Sequence, residues 1–305
     1  MNPVCIISLL AMCLIIAFPI HCVRADNPEN TAESYYLKAR AAYEQDNVDK
    51  AADLMKKALK LDPDNCEYHW VRGDLQGARA QKASIFTKIG KAKSCKKHWE
   101  RAFELCPDSI KYLEGLMYFN LQAPGIAGGD KDEAERLLQE IYARDSTRGY
   151  LALADFAIKD KDYEKAKGIY DRLLAAGRDT LDVLRRLGNM YNYHLKEYSK
   201  ARPYYLRVLE VEPEDCEIVY QAGRTAILSG ESTREAIEHM RHYLNHPVEK
   251  NLPSHASAYW RMGMAYEQLN NFDSAYTCYE ACLKLEPDYK EAKKAMEDLK
   301  KQANK

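Results

Sequence analysis

The sequence predicts an all-α solenoid of stacked helical hairpins, and three observations carry that expectation. First, two stretches of equal length at opposite ends of the chain resemble each other: AESYYLKARAAYEQDNVDKAADLMKKALKLDPDN from Ala32 to Asn65, and ASAYWRMGMAYEQLNNFDSAYTCYEACLKLEPDY from Ala256 to Tyr289. Second, small residues recur midway along the first helix of each unit (Ala39, Gly73, Ala154, Gly188, Gly223, Gly263), and Ala recurs early in the second (Ala51, Ala134, Ala166, Ala201, Ala236, Ala275). Third, Pro63, Pro107, Pro213 and Pro287 stand where a second helix has to stop, because proline cannot continue it. Self-similarity at such a period marks a repeat architecture. One hairpin cannot bury its apolar stripe alone, so the units stack.

The elements follow in chain order. Val4 to Ile20 is almost entirely apolar and uncharged, and Val23-Arg24-Ala25 follows as a small-residue cleavage motif. Residues 1–25 therefore read as a secretory signal peptide, cleaved near Ala25. Its apolar core, roughly 17 residues, approaches spanning length, so an N-terminal membrane anchor is the alternative. Cys13 and Cys22 follow Met12 and His21, which do not suit bacterial lipidation. The expected location is periplasmic or secreted, with no membrane insertion after cleavage. A short leader (26–31) precedes the array (32–289), whose seven units begin near Ala32, Cys66, Ile110, Thr147, Thr180, Cys216 and Ala256. The second unit holds about ten extra residues between its helices (80–94), and the third about five in its turn. HPVEKNLPSH (246–255) reads as a proline-broken linker, and residues 290–305 as a capping helix and tail, which solenoids need to shield their last apolar face.

These spacings resemble the tetratricopeptide repeat family over nearly the whole chain after the leader. The resemblance implies a right-handed superhelix of about seven repeats that binds a protein or peptide on its concave face and performs no catalysis. The positions it places there are Tyr36, Arg40, Trp70, Asp74, Tyr118, Asp155, Arg185, Asn189, Tyr220, Arg224 and Trp260. Aromatic and Arg residues are frequent binding hot spots; the competing reading of each aromatic is packing between neighbouring helices. Arg185, Asn189 and Arg224 resemble the clamp by which cytosolic chaperone adaptors hold a C-terminal carboxylate, but Trp260 and Met264 stand where further basic residues belong. The stretch from Gly73 to Asp145, above all APGIAGGDKDEA, looks like a secreted or periplasmic bacterial subgroup. It is distantly similar to the helical-repeat component associated with tripartite periplasmic transporters. That likeness implies a second reading, a small-molecule-binding accessory component of an envelope transport system.

Candidate chemistry is sparse. APGIAGGD (123–130) is glycine-rich, but a phosphate loop needs a preceding strand and GxxxxGK[ST], and here a helix precedes and Lys131 is misplaced. It reads as a turn: Pro124 ends the first helix, Gly129 supplies permissive dihedrals, Asp130 caps the next helix, and Glu133 completes a capping-box-like pair. His239, His242 and His246 share a helix face and can present imidazoles to zinc, but no Cys or acid stands at matching spacing, so no metal and no cofactor are expected. Six cysteines follow the leader. Cys66 and Cys106 fall at the same end of one hairpin, where a disulfide is permitted if their α-carbons lie within about 7 Å. Cys95 and Cys282 fill small apolar slots, and Cys278 and Cys282 are no oxidoreductase pair. The lysine run from Lys82 to Lys97 reads as a solvated face, and a formal net charge of -1 supplies no field to recruit nucleic acid.

Overall fold

The computed structural model describes residues 30–178, 180–247 and 252–303. The expected signal peptide (1–25), with Cys13 and Cys22, residues 26–29 of the short leader, the middle of the 246–255 linker and residues 304–305 of the tail lie outside the described residues. Among them there are fifteen α-helices and no strand, and no helix is long and apolar enough to cross a membrane. Fourteen helices pair in sequence as hairpins: α1 (Ala32–Glu44) with α2 (Val48–Leu61), α3 (Cys66–Gln81) with α4 (Ile85–Leu105), and α5 (Ile110–Gln122) with α6 (Lys131–Arg144). The next are α7 (Ser146–Lys159) with α8 (Tyr163–Ala175), α9 (Thr180–Asn189) with α10 (Tyr198–Leu209), α11 (Cys216–Ser229) with α12 (Thr233–Leu244), and α13 (His255–Gln268) with α14 (Phe272–Leu285). The last helix, α15 (Lys290–Ala303), buries Ala292 and Leu299 against Tyr279 and Cys282 of α14.

Short polar side chains set the helix starts. Thr31, Asn47, Asn65, Asp145, Asp162, Asp215, Ser254 and Asn271 each accept a hydrogen bond from an amide in the first turn of the helix they precede. Each cap satisfies a donor that the helix leaves open and is worth about 1 kcal/mol. In four hairpins a left-handed residue sits immediately before the N-cap position: Asp46 before Asn47, Lys161 before Asp162, Lys196 before Glu197, and Asn270 before Asn271. One left-handed residue and one cap thus reverse the chain within three positions.

The small residue of the first helix makes room chiefly for a large side chain of the second, and at Gly223 and Gly73 the early small residues Ala236 and Cys95 also approach, their carbonyl oxygens 3.2 and 3.1 Å from the Cβ position. A Cβ at Gly188 would lie 2.6 Å from the Tyr205 ring, at Gly263 2.4 Å from Tyr279, and at Gly73 2.3 Å from Trp99. Tyr205 and Tyr279 are fully buried in consequence, and Tyr170 of the fourth hairpin is fully buried as well. The early alanines Ala51, Ala134, Ala166, Ala201, Ala236 and Ala275 are also fully buried. Ring in small-residue hollow is therefore the repeated packing unit, and much of its energy is apolar area removed from water.

Two units depart from the common pattern. The extra residues 80–94 form no long loop. They lengthen α3 and α4 to 16 and 21 residues around a short turn. In the fifth unit Gly188 and Ala201 stand one residue farther apart than Gly263 and Ala275. The surplus residue is taken up by a wider helical turn, Met190–Leu195, with i to i+5 bonding.

APGIAGGD is a structural turn with different assignments from those expected. A short 3-10 turn spans Gly125–Ala127, and Gly128, not Gly129, takes the left-handed conformation (φ 99°). Gly129 is needed for space, since a Cβ there would lie 1.8 Å from the Ala123 carbonyl oxygen. Asp130 caps α6 by accepting from the amides of Asp132 and Glu133. Glu133 leaves the capping box and pairs with Arg136, while the Asp130 amide donates to the Asn120 carbonyl. Lys96, from the lysine run, donates to the Gly128 carbonyl and to Asn120 Oδ1, both at 2.8 Å. Gly129→Ala is expected to cost about 2 kcal/mol by overpacking against backbone. Gly125→Ala, whose Cβ meets nothing within 4 Å, is expected to be near neutral. Urea denaturation of the two variants measures the difference.

Candidate binding groove

The first helices of successive hairpins share one face, and among the described residues two recesses on it stand out. One, of about 450 Å³, is lined by Tyr36, Arg40, Tyr43 and Glu44 of α1 and by Glu67, Val71 and Asp74 of α3. The other, of about 350 Å³, lies between Glu114 and Tyr118 of α5, Arg148 and Leu151 of α7, and Asp182 and Arg186 of α9.

Register along the first helix decides which residues reach this face. The residue directly after the small position, Arg40, Asp74, Asp155 or Arg224, stands on the groove side or in the networks beneath it. The residue three before the small position packs instead against the next hairpin. Tyr36 stacks on Tyr68 at 5.1 Å, and Trp70 on Tyr112 at 4.9 Å. Arg185 pairs with Glu212 and Asp215, Tyr220 bonds Ser257 at 2.7 Å, and Trp260 lies against Tyr289 at 5.5 Å. Trp70 and Tyr220 are therefore core residues, 9% and 3% exposed, and not open anchors. Trp70 lies over Gly115, where a Cβ would come within 2.1 Å of the ring. Tyr36 serves both roles, as joint and as recess wall.

A charge network floors the second recess. Tyr118 donates its hydroxyl proton to Asp155, and Arg186 Nη1 lies 3.0 Å from both carboxylate oxygens of Asp155. Arg186 Nε donates to Asp182 at 2.8 Å. Burial pushes the Asp155 carboxyl above its usual range, against Arg186 and Tyr118, which favour its ionised form. Arg186, despite its own burial, is held firmly charged by Asp155 and its neighbours. In the first recess Asp74, although open to solvent, is pushed up to about 6 by desolvation, opposed by the hydrogen bond from Trp99 and by Lys111. Of the two adjacent arginines, Arg186 and not the expected Arg185 reaches the recess. Adjacent helical residues point about 100° apart, and Asp182 one turn before Arg186 was the available signal.

The carboxylate clamp does not assemble. Arg185 is engaged as above, Asn189 accepts from the Tyr205 hydroxyl at 2.7 Å, and Arg224 donates to Asn192. Asn192, on the wide turn, also donates to Gln221 at 3.1 Å, and Arg224 lies over the rings of Tyr193 and Tyr198. The physical reason is local supply: each group finds a partner in its own or the adjacent hairpin, and convergence on one point is lost.

The remaining candidates separate. Cys66 and Cys106 are joined, with α-carbons 6.0 Å apart, closing the lengthened second hairpin at its base. Cys95, Cys278 and Cys282 are buried free thiols; burial pushes Cys95 up to about 12 and the other two up to about 11, away from reactivity. Of the histidines, His242 and His246 come together with Glu214, an acid that sequence spacing did not reveal. His239 turns away between α11 and α12, its Cβ 3.1 Å from where a Gly223 Cβ would stand.

Fold and groove together define a helical-repeat solenoid with a polar inner surface. Models of the tetratricopeptide repeat match residues 32–65, 151–216 and 256–289, so the chain carries repeats of that family in its first, fourth to fifth and seventh hairpins. Human Superkiller complex protein 3 is 32% identical over 105 residues, covering 34% of this chain and 7% of that protein. Hsp70-Hsp90 organizing protein 1 of Glycine max is 22% identical over 249 residues, 82% of this chain and 35% of that protein. This chain thus spans a small part of the first and about a third of the second. Among solved structures, the human IFIT1 dimer with m7Gppp-AAAA superposes with a TM-score of 0.56 at 18% identity, covering 89% of this chain and 62% of that one, a likeness of fold.

Proposed function

We propose that this chain is a non-catalytic scaffold of the periplasm or secretory space that binds another protein or a peptide along its inner groove. The observation that carries the reading is the pair of recesses on the first-helix face, walled by charged and aromatic side chains that internal hydrogen bonds hold in place. Groups already ordered lose little entropy on binding, so a pre-set groove gains affinity. Tyr36 and Tyr43 offer ring surface for burial, while Arg40, Glu44, Asp74 and the Arg148–Glu114 pair fix orientation by charge. Tetratricopeptide repeats generally bind protein or peptide partners, and the Glycine max relative, by its name an organizing protein of Hsp70 and Hsp90, fits that use. The apolar leader and Val23-Arg24-Ala25 support the location.

The second reading, a small-molecule-binding component serving an envelope transporter, has recess size in its favour: both volumes lie in the roughly 300–1,000 Å³ range of ligand pockets. Affinity capture from the chain's own compartment separates the two. On the scaffold reading, the Arg40→Glu variant weakens partner capture at least about tenfold, with stability unchanged within about 0.5 kcal/mol, as befits a surface substitution. Melting shifts across a metabolite panel, with no stable partner captured, would establish the small-molecule reading instead.

A further inference from the structure

We propose that Glu214, His242 and His246 form a binding site for one divalent transition-metal ion of the zinc class. Glu214 lies in the turn between α10 and α11, at the start of the sixth hairpin; His242 is in the last turn of α12, and His246 is just beyond it. Nε2 of His246 is 3.1 Å from Glu214 Oε2 and Nε2 of His242 is 3.3 Å from the same oxygen. All three candidate donor atoms lie within 4.8 Å of one another. A tetrahedral zinc with bonds of about 2.0–2.1 Å sets its ligands roughly 3.3–3.4 Å apart, so the two measured separations are nearly those of a formed site.

Two further features bear on the same point. Nδ1 of His246 lies 2.9 Å from the His242 carbonyl oxygen, to which it donates, so in the neutral ring Nε2 keeps its lone pair facing the cluster. A histidine whose second nitrogen is held by a carbonyl is the usual supporting arrangement for a metal ligand. Nε2 of His242 is buried and makes no hydrogen bond among the described residues, although Glu214 is close by. Its nearest polar contact is the 3.3 Å approach to Glu214 Oε2, and an ion between the two would give this buried atom a directed bond.

The register is supplied by the helix end. His242 and His246 are one turn apart with stacked rings at 4.9 Å, and the His246 amide still bonds the Tyr243 carbonyl at 3.2 Å, keeping the turn closed. Two imidazoles and one carboxylate select the zinc class over calcium or magnesium, which prefer oxygen donors. Glu214 is largely exposed, so the fourth position opens to water. The ion would fasten the start of the sixth hairpin to the end of its second helix, at the point where the 246–255 linker begins.

The test uses the full chain, stripped with chelator and titrated with zinc chloride by calorimetry and with cobalt(II) by visible absorption. One ion per chain is expected, with intense tetrahedral cobalt bands, no thiolate charge-transfer band, and a melting midpoint that rises with zinc. Glu214→Gln and His246→Gln should each weaken zinc at least about tenfold. His239→Gln and His69→Gln should leave affinity unchanged. Absence of binding, affinity in E214Q and H246Q unchanged from the unmodified chain, or a thiolate band would overturn the site and leave Glu214 an ordinary ion-pair partner of the two histidines.

Discussion

Replacing both Cys66 and Cys106 by serine is expected to lower the stability of the second hairpin by about 4 kcal/mol. The bond closes a separation of 40 residues. Cross-linking a loop of that length removes chain entropy from the unfolded state equivalent to about 4 kcal/mol. The loss should fall locally, because hairpins in a solenoid contact only their neighbours and open in part. Trp70 and Trp99, stacked at 4.7 Å within this hairpin, report it by fluorescence during urea denaturation. Reductant should reproduce the loss in the unmodified chain and do nothing further to the double serine variant. An unchanged midpoint in both experiments would show that the hairpin's packing alone holds it.

Arg186→Ala is expected to cost about 3 kcal/mol at neutral pH, because it leaves the Asp155 carboxylate, 15% exposed, without its counter-charge. The pH dependence gives the cause away. Burial already raises the folded-state pKa of Asp155 above its unfolded value, and removing Arg186 raises it further. The penalty is therefore fully present above the folded-state pKa and shrinks as pH falls through it, since the protonated acid needs no cation. Adding Asp155→Asn to the Arg186→Ala background should restore part of the loss at neutral pH. A loss independent of pH, with no rescue by the asparagine, would assign the effect to the packing of the arginine stem. Because the same network floors the second recess, the rescued variant also separates stability from partner capture.

Much of the fold was legible in the chain. The recurrence of Ala39, Gly188 and Gly263 with Ala51, Ala201 and Ala275 follows from hairpins that must approach closely, and such spacing is a property of the one-dimensional sequence. Caps such as Asn47 and Asp130 were equally readable, since they act on amides two or three residues away. The groove was legible in part. Arg40, Asp74, Tyr118 and Asp155 stand on or beneath the expected face, while Trp70 and Tyr220 went into joints between hairpins. An aromatic residue looks the same in sequence whether its partner is solvent or the next hairpin's Gly115 or Ser257.

By itself, the sequence determined what depends on near neighbours: helical periodicity, the hairpin repeat, helix starts and stops, and the lack of a phosphate loop at APGIAGGD. Only the tertiary structure decided which of two adjacent arginines faces the groove, that Lys96 reaches across to the Gly128 carbonyl, and that Glu214 joins His242 and His246. Those outcomes rest on a rotation of about 100° per residue and on contacts between residues roughly thirty positions apart. Spacing along one helix hints at the first, through Asp182 one turn before Arg186, and encodes nothing of the other two, which are settled by how a hairpin seats on the next.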